Sequence, residues 1–366
     1  MPGSNARVRP EAPPPAPQRP VTTTHHGVTL TDPYAWLRAE NWQDVMRDPQ
    51  VLAPEIRSYL EAENAYTEAK LAGTRPLQEA LFQEMKARLK PDDSTVPTPD
   101  GPFAYYSRYV EGGQYPLLCR QPRAGGPDEC LLDGNAAAAG HAYWDLGGSA
   151  HSPDHRLLAY AVDDKGSELY TVRFRDLETG QDLADTLPDT RGDIVWANDS
   201  RTLLYIRLDE HHRPLKVYCH RLGTPASEDV LLYEEKDTGF YVSLSKTLSS
   251  RFAIIDVHDH QTSEVHLVEA DAPDRPLLLV EPRTIGHEYR VDHHGDRLII
   301  TTNSGGAEDF RICETPIATP GLSHWTEIVP HKPGRLILDT AVFAHHLVRL
   351  EREDSLPRIV VRAIAD

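Results

Sequence analysis

The sequence predicts a mainly β protein: a β-propeller of about six blade repeats, preceded by a helical segment. Three observations predict it. RLLAYAVD begins at Arg156, RTLLYIRLD at Arg201, RFAIIDVHD at Arg251 and RLIITTN at Arg297, at intervals of 45, 50 and 46 residues. Each phrase is a turn of small or acidic residues, an arginine, then a β-rich apolar run. Each is followed, after a polar turn, by a second strand: ELYTVRF, LKVYCHRL, EVHLVEA and DFRICET. Several short strands repeated at this period define a propeller blade, whereas a β-sandwich leaves the period unexplained. The third observation is that residues 54–88 carry helical spacing instead.

Residues 1–20 hold seven prolines and little that could enter a core, so they read as a disordered arm. Residues 21–90 form the helical segment. TDPYAWLR places Tyr34, Trp36 and Leu37 either as an anchor on a larger body or as a local cluster. A first helix starts at Pro54 and stops at Gly73, with Ile56, Tyr59, Leu60, Glu63 and Tyr66 on one face. A second follows Thr74, its face made of Leu77, Leu81, Met85 and Leu89. Residues 91–366 are the propeller. Weaker copies of the repeat begin near Gly101 (GPFAYYSRYV) and His345 (HHLVRLERED), and the sixth, containing RIVVRAI, is cut short at Asp366.

A formal net charge of -18 argues against nucleic acid, whose phosphates it would repel, and suits a soluble acidic surface or a cationic ligand. No apolar run reaches the length of a membrane helix and no export signal opens the chain, so the expected location is cytoplasmic. Cys119, Cys130, Cys219 and Cys313 form no CxxC pair. Cys119 and Cys130 could bridge, but buried free thiols are expected.

The order of DPYAWLR, two helices, SPDHRLLAYAVDDKGSELYTVRFRDLETG, WANDSRTLLYIRLD, QTSEVHL, EPRTIGHEYRVDHHGDRLIITTN and FRICETP resembles the N-terminal half of the prolyl oligopeptidase family of serine peptidases, in its oligopeptidase B branch. The resemblance runs from about Val21 to Asp366. It implies a seven-bladed type of propeller that covers and gates the active site of an α/β-hydrolase domain and excludes folded proteins. It also implies that the helical segment packs on that hydrolase domain. The implied substrates are oligopeptides cut after arginine or lysine. The implied triad of serine, aspartate and histidine lies beyond Asp366, so no catalytic residue carries over, no cofactor is expected, and these residues alone are expected to be inactive. The missing hydrolase domain would be supplied in cis or in trans, as in a fragment or a split enzyme. A stand-alone propeller serving as an interaction scaffold is the alternative.

Several residues imitate a site. GGSAHSPD gathers Ser149, His151 and Asp154, but a nucleophile elbow needs glycine where His151 stands, and triad partners normally come from distant segments. Here SPDHR reads as the turn before a blade strand, with Asp154 accepting backbone hydrogen bonds. Ser304 in TNSGG lacks the preceding glycine, Thr302 standing there. The histidines include His258 and His260 and the pairs His211-His212, His293-His294 and His345-His346; they fall in turns of different repeats and read as solvated, with no metal site. Glu234, Glu235 and Asp237 read as a charged turn, or as a field that draws cationic peptides inward. The residues that contact substrate are not identifiable from the sequence.

Overall fold

The computed structural model describes residues 12–364. The chain divides into two compact units, residues 1–142 and 143–366. Most of the arm expected over 1–20 lies outside the described residues.

In the first unit, β1 (Val21–His25) and β2 (Val28–Asp32) form an antiparallel hairpin. Its turn, His26 and Gly27 at φ 52° and 78°, is the left-handed pair that a two-residue hairpin requires. The segment expected to be helical from Val21 thus begins with strands. Helices α1 (Trp42–Arg47), α2 (Pro54–Leu71) and α3 (Arg75–Lys86) follow. Trp36 belongs to a local cluster: its ring meets Tyr59 edge-on at 5.9 Å, its Nε1 donates to the Pro17 carbonyl at 2.8 Å, and Arg19 lies over it. On α2 only Ile56 is buried, while Tyr59 and Tyr66 are half-buried and Leu60 is exposed. The apolar row of α3 lies open, with Leu77 61%, Leu81 47% and Met85 59% exposed.

The same unit contains a four-stranded sheet of β3 (Thr98–Asp100), β4 (Phe103–Arg108), β5 (Leu117–Pro122) and β6 (Glu129–Asp133). This is the first blade repeat. Division by compactness therefore falls after Ala142, whereas the change to blade-type sheets begins at β3.

The second unit is a succession of such sheets. A seven-stranded sheet contains two blades: β7 (Asp145–His151), β8 (Leu157–Asp163), β9 (Tyr170–Asp176), the long β10 (Asp182–Trp196), β11 (Thr202–Leu208), β12 (Pro214–Arg221) and β13 (Val230–Glu234). Strand β10 pairs with β9 along its first half and with β11 along its second, with register breaks around Thr190. It closes one blade and opens the next. The fourth blade is β14 (Tyr241–Lys246), β15 (Phe252–His258), β16 (Ser263–Glu269) and β17 (Leu278–Leu279). The fifth is β18 (Tyr289–His294), β19 (Arg297–Thr302), β20 (Arg311–Pro316) and β21 (Thr326–Val329). The sixth sheet has three strands, β22 (Arg335–Val342), β23 (His346–Glu353) and β24 (Leu356–Ala363). Every repeated phrase read from the sequence is a strand at the expected place.

The apolar runs are continuous because the second strand of a blade is buried on both faces. Alternate residues of β15 serve different neighbours: Ile255 and Val257 pack with Leu204 and Ile206 of the preceding blade, while Ile254 packs with Leu298 and Ile300 of the following one. Strand β19 repeats this, since Ile299 joins Ile312, Ile337 and Leu347 on its other side. Period-two side chains thus join each sheet to both adjacent sheets.

The arginine that opens each phrase follows a left-handed residue in three repeats: His155, Ser200 and Ser250 stand at φ 61°, 57° and 59°. These turns are also fastened to one another. Asp154 donates its N–H to Ser200 Oγ at 3.0 Å, Asn198 Nδ2 donates to the Ser250 carbonyl at 3.0 Å, and His293 Nδ1 meets Ser249 Oγ at 2.8 Å. Among the described residues no helix is long and apolar enough to cross a membrane.

Candidate functional site

The stretch that imitates an active site is shaped by packing. Gly147 and Gly148 sit on β7 because there is no room for a Cβ: the Tyr170 ring occupies the place beside Gly147, and the Gly192 carbonyl of β10 the place beside Gly148. Ser149 is exposed and pairs across the sheet with Tyr160; among the described residues no imidazole or carboxylate bonds its hydroxyl. His151 stacks on His155 at 5.5 Å. Asp154 accepts from Ser152 Oγ at 2.6 Å and from the Arg156 N–H at 3.2 Å, a turn rather than a relay. Ser304 Oγ accepts from Arg311 Nη2 at 3.2 Å and has no base beside it among the described residues.

The histidines correct one expectation. His260, His345 and His346 are exposed, but His293 is buried, its ring bonded at 2.8 Å to Ser249 and at 2.9 Å to the Gly295 carbonyl. Burial holds it below the usual histidine range. His294 likewise bonds the Ala344 carbonyl at 2.9 Å. These rings fasten one blade turn to the next instead of facing solvent. The cysteines correct another: Cys119 and Cys313 are buried, but Cys219 is half-buried and Cys130 exposed.

The acidic run separates into three structural roles. Glu234 pairs with Lys216 at 3.1 Å and Asp237 accepts from the Gly239 N–H at 2.9 Å. Glu235 is buried, accepting from Tyr233 at 2.9 Å, from the Asp237 N–H at 2.7 Å and from Arg283 at 2.5 Å. Arg283 also grips Glu264 at 3.2 Å and lies 4.3 Å from the Phe240 ring centre. Burial opposes the charge on Glu235, yet Arg283 and its other donors outweigh it and hold the carboxyl below its usual range. These carboxylates are engaged in joining β13, β16 and the chain after β17.

A better candidate lies where the first strands of the fourth, fifth and sixth blades approach. A cleft of about 360 Å³ is bounded by Ser243, Ser245 and Lys246 of β14, Arg290 and Asp292 of β18, Asp339 and Thr340 of β22, and Asp256 of β15. Its cations are held on carbonyls: Lys246 Nζ donates to the Trp196 oxygen and Arg290 Nη1 to the Leu338 oxygen, each at 2.8 Å. Its carboxylates are less satisfied. Among the described residues Asp256 Oδ1 is buried without a hydrogen-bond partner, and burial pushes this carboxyl above its usual range against the opposing pull of His258 and Arg290. Burial also raises Asp292, although the N–H groups of His293 and Val342 donate to it at 2.8 and 3.3 Å. Such a surface suits an amine or guanidinium that brings its own donors. Sequence reasoning missed these residues. The available signal was an aspartate inside an apolar strand, in FAIIDVH and in YRVDHH.

Comparison with known proteins gives a consistent result. Residues 13–366 match the family described as prolyl oligopeptidase, N-terminal beta-propeller domain. Dipeptidyl aminopeptidase BI of Pseudoxanthomonas mexicana is 35% identical, the match covering 95% of this chain and 49% of that protein. Protease 2 of Moraxella lacunata is 32% identical over 92% of this chain and 48% of its own. Oligopeptidase B from Leishmania major is similar in structure with a TM-score of 0.86 at 30% identity, covering 97% of this chain and 51% of that one. The chain spans about half the length of the curated relatives it matches.

Proposed function

Because the chain belongs to the prolyl oligopeptidase family, whose N-terminal β-propeller domain it carries, we propose that it is the non-catalytic half of a cytoplasmic serine oligopeptidase, gating a site that cuts short peptides after basic residues. In this reading a serine attacks the peptide carbonyl, a histidine moves the proton, and preorganised N–H groups stabilise the oxyanion. All of those groups belong to an α/β-hydrolase domain supplied in cis or in trans. The propeller contributes exclusion of folded proteins, and its wall carboxylates Asp256, Asp292 and Asp339 offer charge complementary to an arginyl or lysyl peptide.

The observation that carries the reading is the open apolar row of α3. Leu77, Leu81 and Met85, one turn apart, are all about half exposed or more. A row of this kind on a charged helix marks a surface that another body covers. Sedimentation of the purified residues 1–366 should show concentration-dependent association, relieved when Leu77→Lys and Leu81→Lys are combined. A wild-type monomer with a sharp cooperative melt, unaffected by those changes, would contradict the reading.

A further inference from the structure

We propose that Cys119 and Cys130 close a reversible disulfide, driven by a hydroperoxide, that clamps the edge of the first blade. The two residues are direct cross-strand partners on β5 and β6, and β6 is the edge strand of its sheet. Partnered residues of an antiparallel pair have Cα atoms about 4.5–5.5 Å apart, inside the range of about 4.4–6.8 Å that a disulfide spans. Both thiols are free.

The register that presents them is fixed independently. One step along, Arg120 Nε donates to Glu129 at 2.8 Å, and the Arg120 guanidinium lies 3.9 Å from the Phe103 ring centre, tying β6 to β5 and both to β4. Tyr106 donates to Asp128 at 2.5 Å in the connection that leads into β6. The pair is asymmetric in access: Cys119 is 2% exposed, whereas Cys130 is exposed. Cys119 Sγ donates to the Leu117 carbonyl at 3.8 Å, and on β4 Arg108 lies two residues from Tyr106, the direct partner of Cys119, on the same face.

This asymmetry divides the chemistry. The Cys130 thiolate attacks the terminal oxygen of hydrogen peroxide, the O–O bond breaks, and the departing hydroxide takes a proton to leave as water. Cys130 is then a sulfenic acid. Cys119 then attacks the Cys130 sulfur, its thiol proton passing to the departing oxygen as the S–O bond breaks, and a second water leaves. Two thiols have lost two electrons and two protons, and one peroxide has become two waters. A dithiol reductant reverses the change by exchange. Partial desolvation of its sulfur, together with the facing Cys119, pushes the Cys130 thiol above its usual range, so bridging quickens as the pH rises.

The test is mild hydrogen peroxide treatment of the purified chain, followed by intact mass and peptide mapping without reduction. The expected result is an intramolecular loss of two hydrogens, a linked peptide pair containing Cys119 and Cys130, and full reversal by dithiothreitol. Cys219→Ser and Cys313→Ser should leave the bridge intact, and Cys130→Ser, at an exposed position, should abolish it. Iodoacetamide labelling of the oxidised wild type needs no substitution, and labelling of Cys130 should fall to background. A Cys130 that proceeds to sulfinic acid with Cys119 still alkylatable would overturn the proposal. So would a peroxide-induced dimer linked through Cys130.

Discussion

The backbone N–H of Asp154 donates to the hydroxyl of Ser200 at 3.0 Å, joining the turn before one blade strand to the same turn of the next blade. Ser200 is largely buried and stands at φ 57°, where glycine is the least strained residue. Ser200→Ala removes the acceptor and keeps the strain, so it should destabilise by about 1–2 kcal/mol. Ser200→Gly should cost less, because relaxed backbone offsets part of the lost bond. Urea midpoints of the two variants check that order.

The glycine pair before Ser149 allows a second test. At Gly148 an added Cβ meets the Gly192 carbonyl, a backbone atom that cannot swing aside, so Gly148→Ala should cost about 1–3 kcal/mol. Gly73, between α2 and α3, has open space around it and no positive φ. Gly73→Ala should be neutral or stabilising by up to about 1 kcal/mol. Equal effects at the two sites, measured by denaturant unfolding, would refute the packing explanation of the GGS stretch.

Glu235 and Glu264 share Arg283, and both carboxyls are held below the usual value of 4.5. A depressed carboxyl contributes stability that is present above its unfolded pKa and is lost as pH falls through the folded one. Stability should therefore decline below about pH 4.5, and Glu235→Gln should flatten that acid-side slope. Arg283→Met leaves the buried Glu235 without its cation and the half-buried Glu264 with His266 as its remaining side-chain partner, and should cost about 3 kcal/mol at neutral pH. Unfolding midpoints measured across pH 3–7 give the comparison.

Asp256 has the opposite sign. Its carboxyl is raised above 3.8 by burial, so the charged form weakens the fold at neutral pH and the penalty disappears as pH falls toward that value. Asp256→Asn should gain about 1 kcal/mol near pH 7, with the gain shrinking on acidification. If the wall of the cleft meets cationic peptides, the same change should weaken binding of an arginyl peptide more than of a neutral one. Calorimetric titration of the two peptides measures it.

The strands legible in the sequence are those buried on both faces. LLAYAVD and FAIIDVH stand out because adjacent sheets cover each side. The first strands were less legible because they carry Gly147, Gly148, Ser243 and Ser245 on a wall, and β17 was invisible at two residues. The hairpin of β1 and β2 escaped because β1 is mostly threonine and the alternation in VTLTD is only two apolar residues long, Val28 and Leu30, both exposed. Glu235 suggested a field for peptides because its partner Arg283 lies far along the chain. The cleft was hidden for the same reason: Asp256, Asp292 and Asp339 meet only when three blades stand side by side.

The proposed function assigns the hydrolytic nucleophile to another domain and none to this chain's own serines. Fluorophosphonate labelling of the folded chain, mapped by peptide mass, tests it most directly. No labelling above a heat-denatured control is expected, because among the described residues neither Ser149 nor Ser304 has an activating base bonded to its hydroxyl. Specific labelling at Ser149 or Ser304, accompanied by turnover of an arginyl fluorogenic peptide that Ser149→Ala or Ser304→Ala abolishes, would contradict it.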